Sequence, residues 1–329
     1  MPEKKDLTSG SAKEMPADIV EKVEKLRDKY RAMGQNLRSY LDGLLYADYL
    51  TYWDYIRLDV LLNLQVPRTP IKDEVIFIIY HQITELYFKL VLHEMAQLAE
   101  LVAPATADEL VMRLKRINAY FSNLIRSFEI MIDGMDKQQF LDFRMALLPG
   151  SGFQSAQWRM IEFGAADLDR LIALNRRDKI TAEMPIEEKC KYLYWRQGAT
   201  ELATGRRTLT LKQFEHKYAR EFIDLAKKSK DTNIWQIYLQ LPEYEQQRTD
   251  LVEEMKKLDI NANVHWPLMH YRSAVRYLHK NPEDIAATGG TNWQKYLPPK
   301  NQRIIFYPTL WSEDEQETWG RFTKEEWYK

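Results

Sequence analysis

Residues 73–101 run without a glycine or proline, and apolar side chains occupy every face of the first three turns. That length and pattern predict a helix, and a helix that is apolar all round predicts burial. Phe77, His81, Thr84 and Phe88 fall on one stripe of it, which sets an imidazole among aromatic rings. Taken by itself, a histidine in such a stripe reads as a core side chain bonded to a backbone carbonyl.

The pattern on either side is also helical. Residues 1–16 are polar and are expected to be disordered. Residues 17–66 predict a charged helical arm that packs on the body or on a neighbouring subunit, with an aromatic-rich segment holding Tyr52, Trp53, Tyr55 and Ile56. Pro67 and Pro70 break the chain ahead of the long helix. Over 107–132 the apolar positions Val111, Leu114, Ile117, Phe121, Leu124 and Phe128 keep helical spacing. Asp136-Lys-Gln-Gln139 predicts a capping box opening a short helix, 140–148, on which Phe140 and Arg144 share a face. That helix ends at Pro149-Gly150-Ser151-Gly152, and another opens near 153–158. Residues 165–260 predict charged helices serving as scaffold. Strand-like alternation is scarce outside 303–307. Pro267 predicts the first turn of a further helix, with His270 one turn in and Ser273, Ala274 and Tyr277 along its face. Beyond it, Thr288-Gly289-Gly290 predicts a mobile loop over a pocket. The expected fold is all-α, a single domain over 17–329.

Composition narrows the chemistry. With 47 basic against 48 acidic residues and a net charge of −1, there is no electrostatic case for nucleic acid or an anionic membrane. The opening residues lack the apolar core of a signal peptide, and one cysteine, Cys190, suits a reducing cytoplasm. A lone cysteine also excludes thiolate clusters, so a metal must rely on histidine or carboxylate. The six histidines form no HExxH motif, and no GxSxG elbow or Walker loop is present. Nineteen tyrosines, nine tryptophans and twelve phenylalanines point to a tightly packed helical protein with a flat aromatic ligand.

Taken in order, several segments resemble the tryptophan 2,3-dioxygenase family. They are Phe77 with His81-Gln-Ile-Thr-Glu85-Leu-Tyr-Phe-Lys89, Phe140-Leu-Asp-Phe-Arg144 running into Pro149-Gly-Ser-Gly-Phe-Gln-Ser155, the stretch around His270 and Arg276, and Thr288-Gly-Gly. Tyr52-x-x-Tyr55-Ile56 is similar to the family's N-terminal substrate segment. Order and spacing hold over 50–163 and 264–311, and the FRxxLxPxSGFQS run is the most specific part.

The resemblance implies a homotetramer carrying haem b, which inserts both atoms of O₂ across the indole C2–C3 bond of L-tryptophan to give N-formylkynurenine, the first step of tryptophan catabolism. It implies His270 as the proximal iron ligand, with His81 on the open face near the indole N–H in a positioning role. Arg144 would hold the substrate carboxylate and Thr288 its amino-acid end. Phe77, Ile78, Ile79, Tyr80, His81 and Phe140 would line the substrate, with Tyr52, Tyr55 and Ile56 reaching in from a neighbouring subunit. Ser151 and Gly152 would line the haem edge.

Departures from the family pattern are Tyr87 in place of a common tryptophan, Trp53 and Asp54 in place of small residues, Thr291-Asn-Trp293 after the glycines, and about four extra residues near 281–284. They bear on the identity of the substrate. A sibling haem hydroxylase of another aromatic amino acid, or a haem- or tryptophan-binding protein without catalysis, is the alternative.

Overall fold

The computed structural model describes residues 15–47, 50–101, 105–199, 206–278 and 297–321. The expectations placed on residues 1–14, on the lengthened segment near 281–284 and on Thr288 with its glycine loop lie outside the described residues. All regular structure among the described residues is helical. The stretch 303–307, where alternation hinted at a strand, pairs with no other strand, and Ile172 and Leu193 form an isolated bridge.

The chain divides into two compact units, Met1–Leu64 and Gln65–Lys329. The first unit holds α1 (Ala17–Ala32), α2 (Leu37–Leu45), α3 (Tyr52–Tyr55) and α4 (Leu58–Leu61), none of which buries a residue. Gly34, at φ 67°, takes the left-handed conformation that ends α1, and Asn36 caps α2 by accepting the Arg38 N–H at 3.0 Å. The Tyr30 and Tyr40 rings meet at 4.5 Å across the turn.

The second unit contains the core. Its helices are α5 (Glu74–Ala99), α6 (Ala107–Ser127), α7 (Glu129–Ile132), α8 (Lys137–Arg144), α9 (Ala156–Ala165), α10 (Ile186–Lys189) and α11 (Tyr194–Gly198). They are followed by α12 (Leu209–Lys228), α13 (Ile234–Gln240), α14 (Glu243–Gln246), α15 (Thr249–Ile260) and α16 (Trp266–Leu278). Helix α6 lies between α5 and α15, and α5 also packs on α9. Leu110, Leu114, Ile117, Phe121 and Leu124 of α6 are fully buried. Each such side chain contributes roughly 1.5–3 kcal/mol of burial, which makes this face a main source of the unit's cohesion. Thr106 and Glu109 close the capping box that starts the helix.

Helix α5 departs from the expectation of burial on all sides. Tyr80, Thr84, Phe88, Val91, Met95 and Leu98 enter the core, whereas Ile79, Ile83, Leu86 and Leu90 are about 36–51% exposed. Its neighbours α6 and α9 cover one side only, and the i, i+4, i+7, i+11 row opposite is left bare. Among the described residues, α5 is the one helix long and apolar enough to cross a membrane, and its inward side packs into the helical core.

Two local expectations also change. Asp136 accepts the Gln139 N–H at 2.9 Å, but the returning half of the capping box goes elsewhere: Gln139 Oε1 accepts the N–H of Asp73 at the start of α5, at 3.3 Å. Pro267 does not open a new helix. A π-helical turn, Asn261–His265, joins α15 to α16 without a break, and the Trp266 N–H donates to the Asn261 carbonyl. Pro267 has no N–H to close the ordinary bond four residues back, and the widened turn accommodates that.

The middle third does more than brace the core. Thr210, in the first turn of α12, donates to the Pro149 carbonyl at 2.9 Å, and its own carbonyl accepts from Gln154 at 3.2 Å. Cys190, just after α10, is buried, and burial pushes its thiol up to about 11.

Candidate functional site

The pieces that converge come from α5, α6, α8 and α16. On α5 the ring of Phe77 lies 4.1 Å from that of His81, and it meets Phe140 at 6.3 Å and Phe143 at 5.7 Å, both on α8. Phe140 in turn faces Tyr277 of α16 at 4.6 Å. On the other side, Tyr80 touches His81 and Phe128, and Phe128 meets His270 edge-on at 4.6 Å. Trp266, one turn before His270 on α16, closes on its imidazole at 4.7 Å. A continuous chain of rings therefore links the two histidines through Tyr80 and Phe128, while the rings of Phe77, Phe140 and Tyr277 run from His81 to α16. The two histidines are near enough that charge on His81 disfavours charge on His270.

The two imidazoles are prepared differently. His81 Nδ1 lies 2.7 Å from the Phe77 carbonyl. A carbonyl only accepts, so Nδ1 carries the proton and the neutral ring keeps a lone pair on Nε2. Burial also lowers the His81 pKa, against that hydrogen bond and the nearby Glu85. His270 makes no hydrogen bond with the described residues, and burial, with His81 nearby, pushes its pKa down to about 3. Among the described residues, the rings of Phe128 and Trp266 hold its orientation.

Arg144 ends α8, one turn beyond Phe140, and is buried, which lowers its pKa while leaving it cationic at neutral pH. Ser151 caps the 3₁₀ turn Gly152–Gln154. No described residue lies within 4 Å of where a Cβ on Gly152 would project. Behind it the buried Arg159 guanidinium bonds Glu162 at 3.2 Å and Tyr194 Oη at 3.1 Å, and lies 5.5 Å from the Phe153 ring centre and 5.3 Å from that of Trp195.

The other expected residues differ in burial. Tyr80 is buried, its hydroxyl bonded to the Leu124 carbonyl at 3.2 Å, so it backs His81. Ile78 is half-buried, and Ile79 belongs to the bare row of α5. Tyr52 and Tyr55, in the first unit, are 70% and 75% exposed, and Ile56 is half-buried. Arg276 pairs with Asp133 at 3.5 Å. Phe143, Phe128 and Trp266 join the ring chain without having been singled out as site residues. Their spacing from Phe140 and His270, or their place in the α6 stripe, was the available signal.

The donor set suits one kind of metal centre. No group of three or more His, Cys, Asp or Glu side chains among the described residues could hold a bare ion. A single neutral imidazole among aromatic rings fits a haem iron, which needs one protein ligand because the porphyrin would supply the rest.

Fold and site together define an all-helical protein with two histidines joined through one set of aromatic rings. The profile of the tryptophan 2,3-dioxygenase family matches residues 46–259, and the chain belongs to that family. That match covers His81 and Arg144 and ends before His270. A tryptophan 2,3-dioxygenase from Exiguobacterium sibiricum is 30% identical over 282 residues, covering 80% of this chain and 91% of the relative. One from Polaromonas sp. is 28% identical over 267 residues, 80% of this chain and 86% of the relative. Higher identity, 41%, is confined to 113 residues shared with the enzyme of an Anaeromyxobacter species, 34% of this chain and 42% of that one.

Proposed function

We propose that this protein is a haem-dependent dioxygenase that converts L-tryptophan and O₂ to N-formyl-L-kynurenine. The observation that carries the reading is the pair of neutral histidines joined through one set of aromatic rings, His81 with its free nitrogen fixed by the Phe77 carbonyl and His270 with no partner among the described residues.

His270 would hold the haem iron, and Ser151 and Gly152 would border the haem. Bound haem supplies the metal centre at which O₂ is activated for insertion of both its atoms across the indole C2–C3 bond. The rest of the work is placement. His81 Nε2 accepts the indole N–H. Phe77 and Phe140 wall the indole and keep water out. Arg144, with its planar two-donor fork, grips the substrate carboxylate, and Thr288 binds the same amino-acid end. Fixing the indole at both ends confines it to reactive orientations, a contribution that reaches several kcal/mol in favourable systems.

Assembly as a homotetramer belongs to the same reading, with Tyr52, Tyr55 and Ile56 of one copy completing the site of another. The bare row Ile79, Ile83, Leu86 and Leu90 supports it, since a contiguous apolar face of this kind marks a contact surface. A cytoplasmic setting is supported by the single, buried cysteine. The test is to mix reduced, haem-loaded protein with L-tryptophan in air and measure N-formylkynurenine. Its appearance at catalytic turnover is the expected result, and its absence from ferrous, haem-bound protein rejects the proposal.

A further inference from the structure

The carboxylate of Asp259 is completely buried in the last turn of α15 and serves four donors. Oδ1 accepts Asn263 Nδ2 at 2.8 Å and the Phe306 N–H at 3.0 Å. Oδ2 accepts the Tyr307 N–H at 3.1 Å and Trp311 Nε1–H at 3.0 Å. One side chain thus fastens two things at once: the π-turn that follows it and a strap, 304–311, from the far end of the chain, irregular except for the 3₁₀ turn Pro308–Leu310. Buried carboxylates this well satisfied are ordinary anchors. This one stands where the rotation of α16 is decided.

A π-turn carries one residue more than the α-helical turn it replaces. Each residue advances a helix by about 100° around its axis, so inserting or removing one swings everything downstream by that angle. His270 lies five residues beyond the turn, and its ring is gripped on one side by Phe128 and Trp266. Were the turn to relax to α geometry, the same sequence would present a different face of α16 to Phe128. Pro267 favours the widened turn but does not by itself choose where the extra residue sits. The Asp259–Asn263 bond ties the middle of the π-turn to the last turn of α15. Asn261 adds a second hold, donating to Asn118 Oδ1 on α6 at 3.2 Å.

We propose that Asp259, acting through Asn263, is a positioning residue for His270: it locks the π-turn and so fixes the direction from which the imidazole meets its ligand. The inference rests on the haem reading above. It places a determinant of the iron–histidine bond eleven residues before the ligand, in a side chain whose hydrogen bonds go to Asn263, Phe306, Tyr307 and Trp311.

The experiment uses full-length, haem-loaded protein and three variants, Asn263→Ala, Trp311→Phe and Asp259→Asn. The readouts are the iron–imidazole stretching band of the ferrous protein and the rate of haem loss to an excess of a haem-scavenging globin. Asn263→Ala removes only the bond from α15 to the turn, and it is expected to shift or split the stretching band and speed haem loss by about tenfold. Trp311→Phe loosens only the strap and is expected to leave the band in place. Asp259→Asn is expected to behave as Asn263→Ala. Glu74→Gln, a comparably buried substitution at the start of α5, controls for loss of stability alone and should leave the band unmoved. A band in Asn263→Ala identical to that of the unaltered protein, with unchanged haem loss, overturns the proposal. So does an equal shift in the Glu74→Gln control. His270→Ala separates this from the underlying reading. If that variant keeps a normal Soret band and the same iron–imidazole band, the haem assignment itself is wrong. If it loses them while Asn263→Ala changes nothing, only the positioning role is.

Discussion

The carboxylate of Asp73 accepts the backbone N–H of Asp136 at 2.6 Å, and the Asp73 N–H donates to Gln139 at 3.3 Å. The starts of α5 and α8 are therefore clipped together. Each helix then places an aromatic ring four residues on, Phe77 and Phe140, and a polar head eight residues on, His81 and Arg144. The two lining surfaces share one origin and one register.

Cutting that clip should disturb substrate more than cofactor. Asp73→Ala removes the side-chain hydrogen bond of the clip, worth about 1 kcal/mol of stability. It should also raise the KM for tryptophan several-fold, because Arg144 shifts relative to His81, while haem content stays normal. Urea unfolding and steady-state kinetics check the two halves. A stability loss with an unaltered KM would show that the junction serves stability and nothing more.

Arg144→Leu removes a charge-assisted contact of roughly 1.5–3 kcal/mol, which corresponds to a rise in KM of about ten- to a hundredfold. The Soret band should keep its position and intensity. An unchanged KM would put the substrate carboxylate elsewhere.

His81 offers a more selective test. With Nδ1 committed to the Phe77 carbonyl, Nε2 is the acceptor left for an indole N–H. His81→Ala should weaken tryptophan binding by about one hydrogen bond, roughly 1 kcal/mol or fivefold. Tryptophan methylated on the indole nitrogen has no such proton to give, so replacing His81 should weaken its binding less. Equal losses for both ligands would remove the hydrogen-bonding role.

Two buried carboxylates should give opposite pH signatures. Burial works to raise the pKa of Glu74, but it is outweighed by hydrogen bonds from Thr69 Oγ1 and the Arg68 and Thr69 N–H groups, leaving it below 4.5. As pH falls the unfolded chain protonates there first, so this contribution is present above about pH 4.5 and fades below it. Asp259 is the reverse: burial pushes it up to about 6 from 3.8, against its four donors. The folded chain takes that proton first, so its contribution is fullest below pH 3.8 and is lost as pH rises to about 6. The change is up to about 3 kcal/mol. In urea titrations from pH 3.5 to 7, the stability gap to Glu74→Gln should widen with rising pH, and the gap to Asp259→Asn should narrow. Gaps that run parallel across that range would contradict both assignments.

Much of this was legible in the chain. The α6 stripe announces itself at helical spacing because all its apolar residues face one partner surface. The FRxxLxPxSGFQS run ties α8 to the loop at Gly152 within a dozen residues. What escaped reading was long-range. The partners of Asp259 lie up to 52 residues away and three of the four donors are on the strap, so no local pattern marks that carboxylate as special. The second half of the expected Asp136 box was diverted to Asp73, 63 residues earlier, for the same reason. The exposure of α5 escaped too, since apolar residues on every face say that cover is needed and not what provides it.

Cys190 gives the molecule a built-in clock for its own breathing. It is the chain's single sulfhydryl, and with its pKa near 11 and its side chain enclosed it is a poor nucleophile at neutral pH for as long as its surroundings stay closed. A thiol-reactive dye would therefore report, one event per chain and without any engineered tag, how often the segment between α10 and α11 comes open.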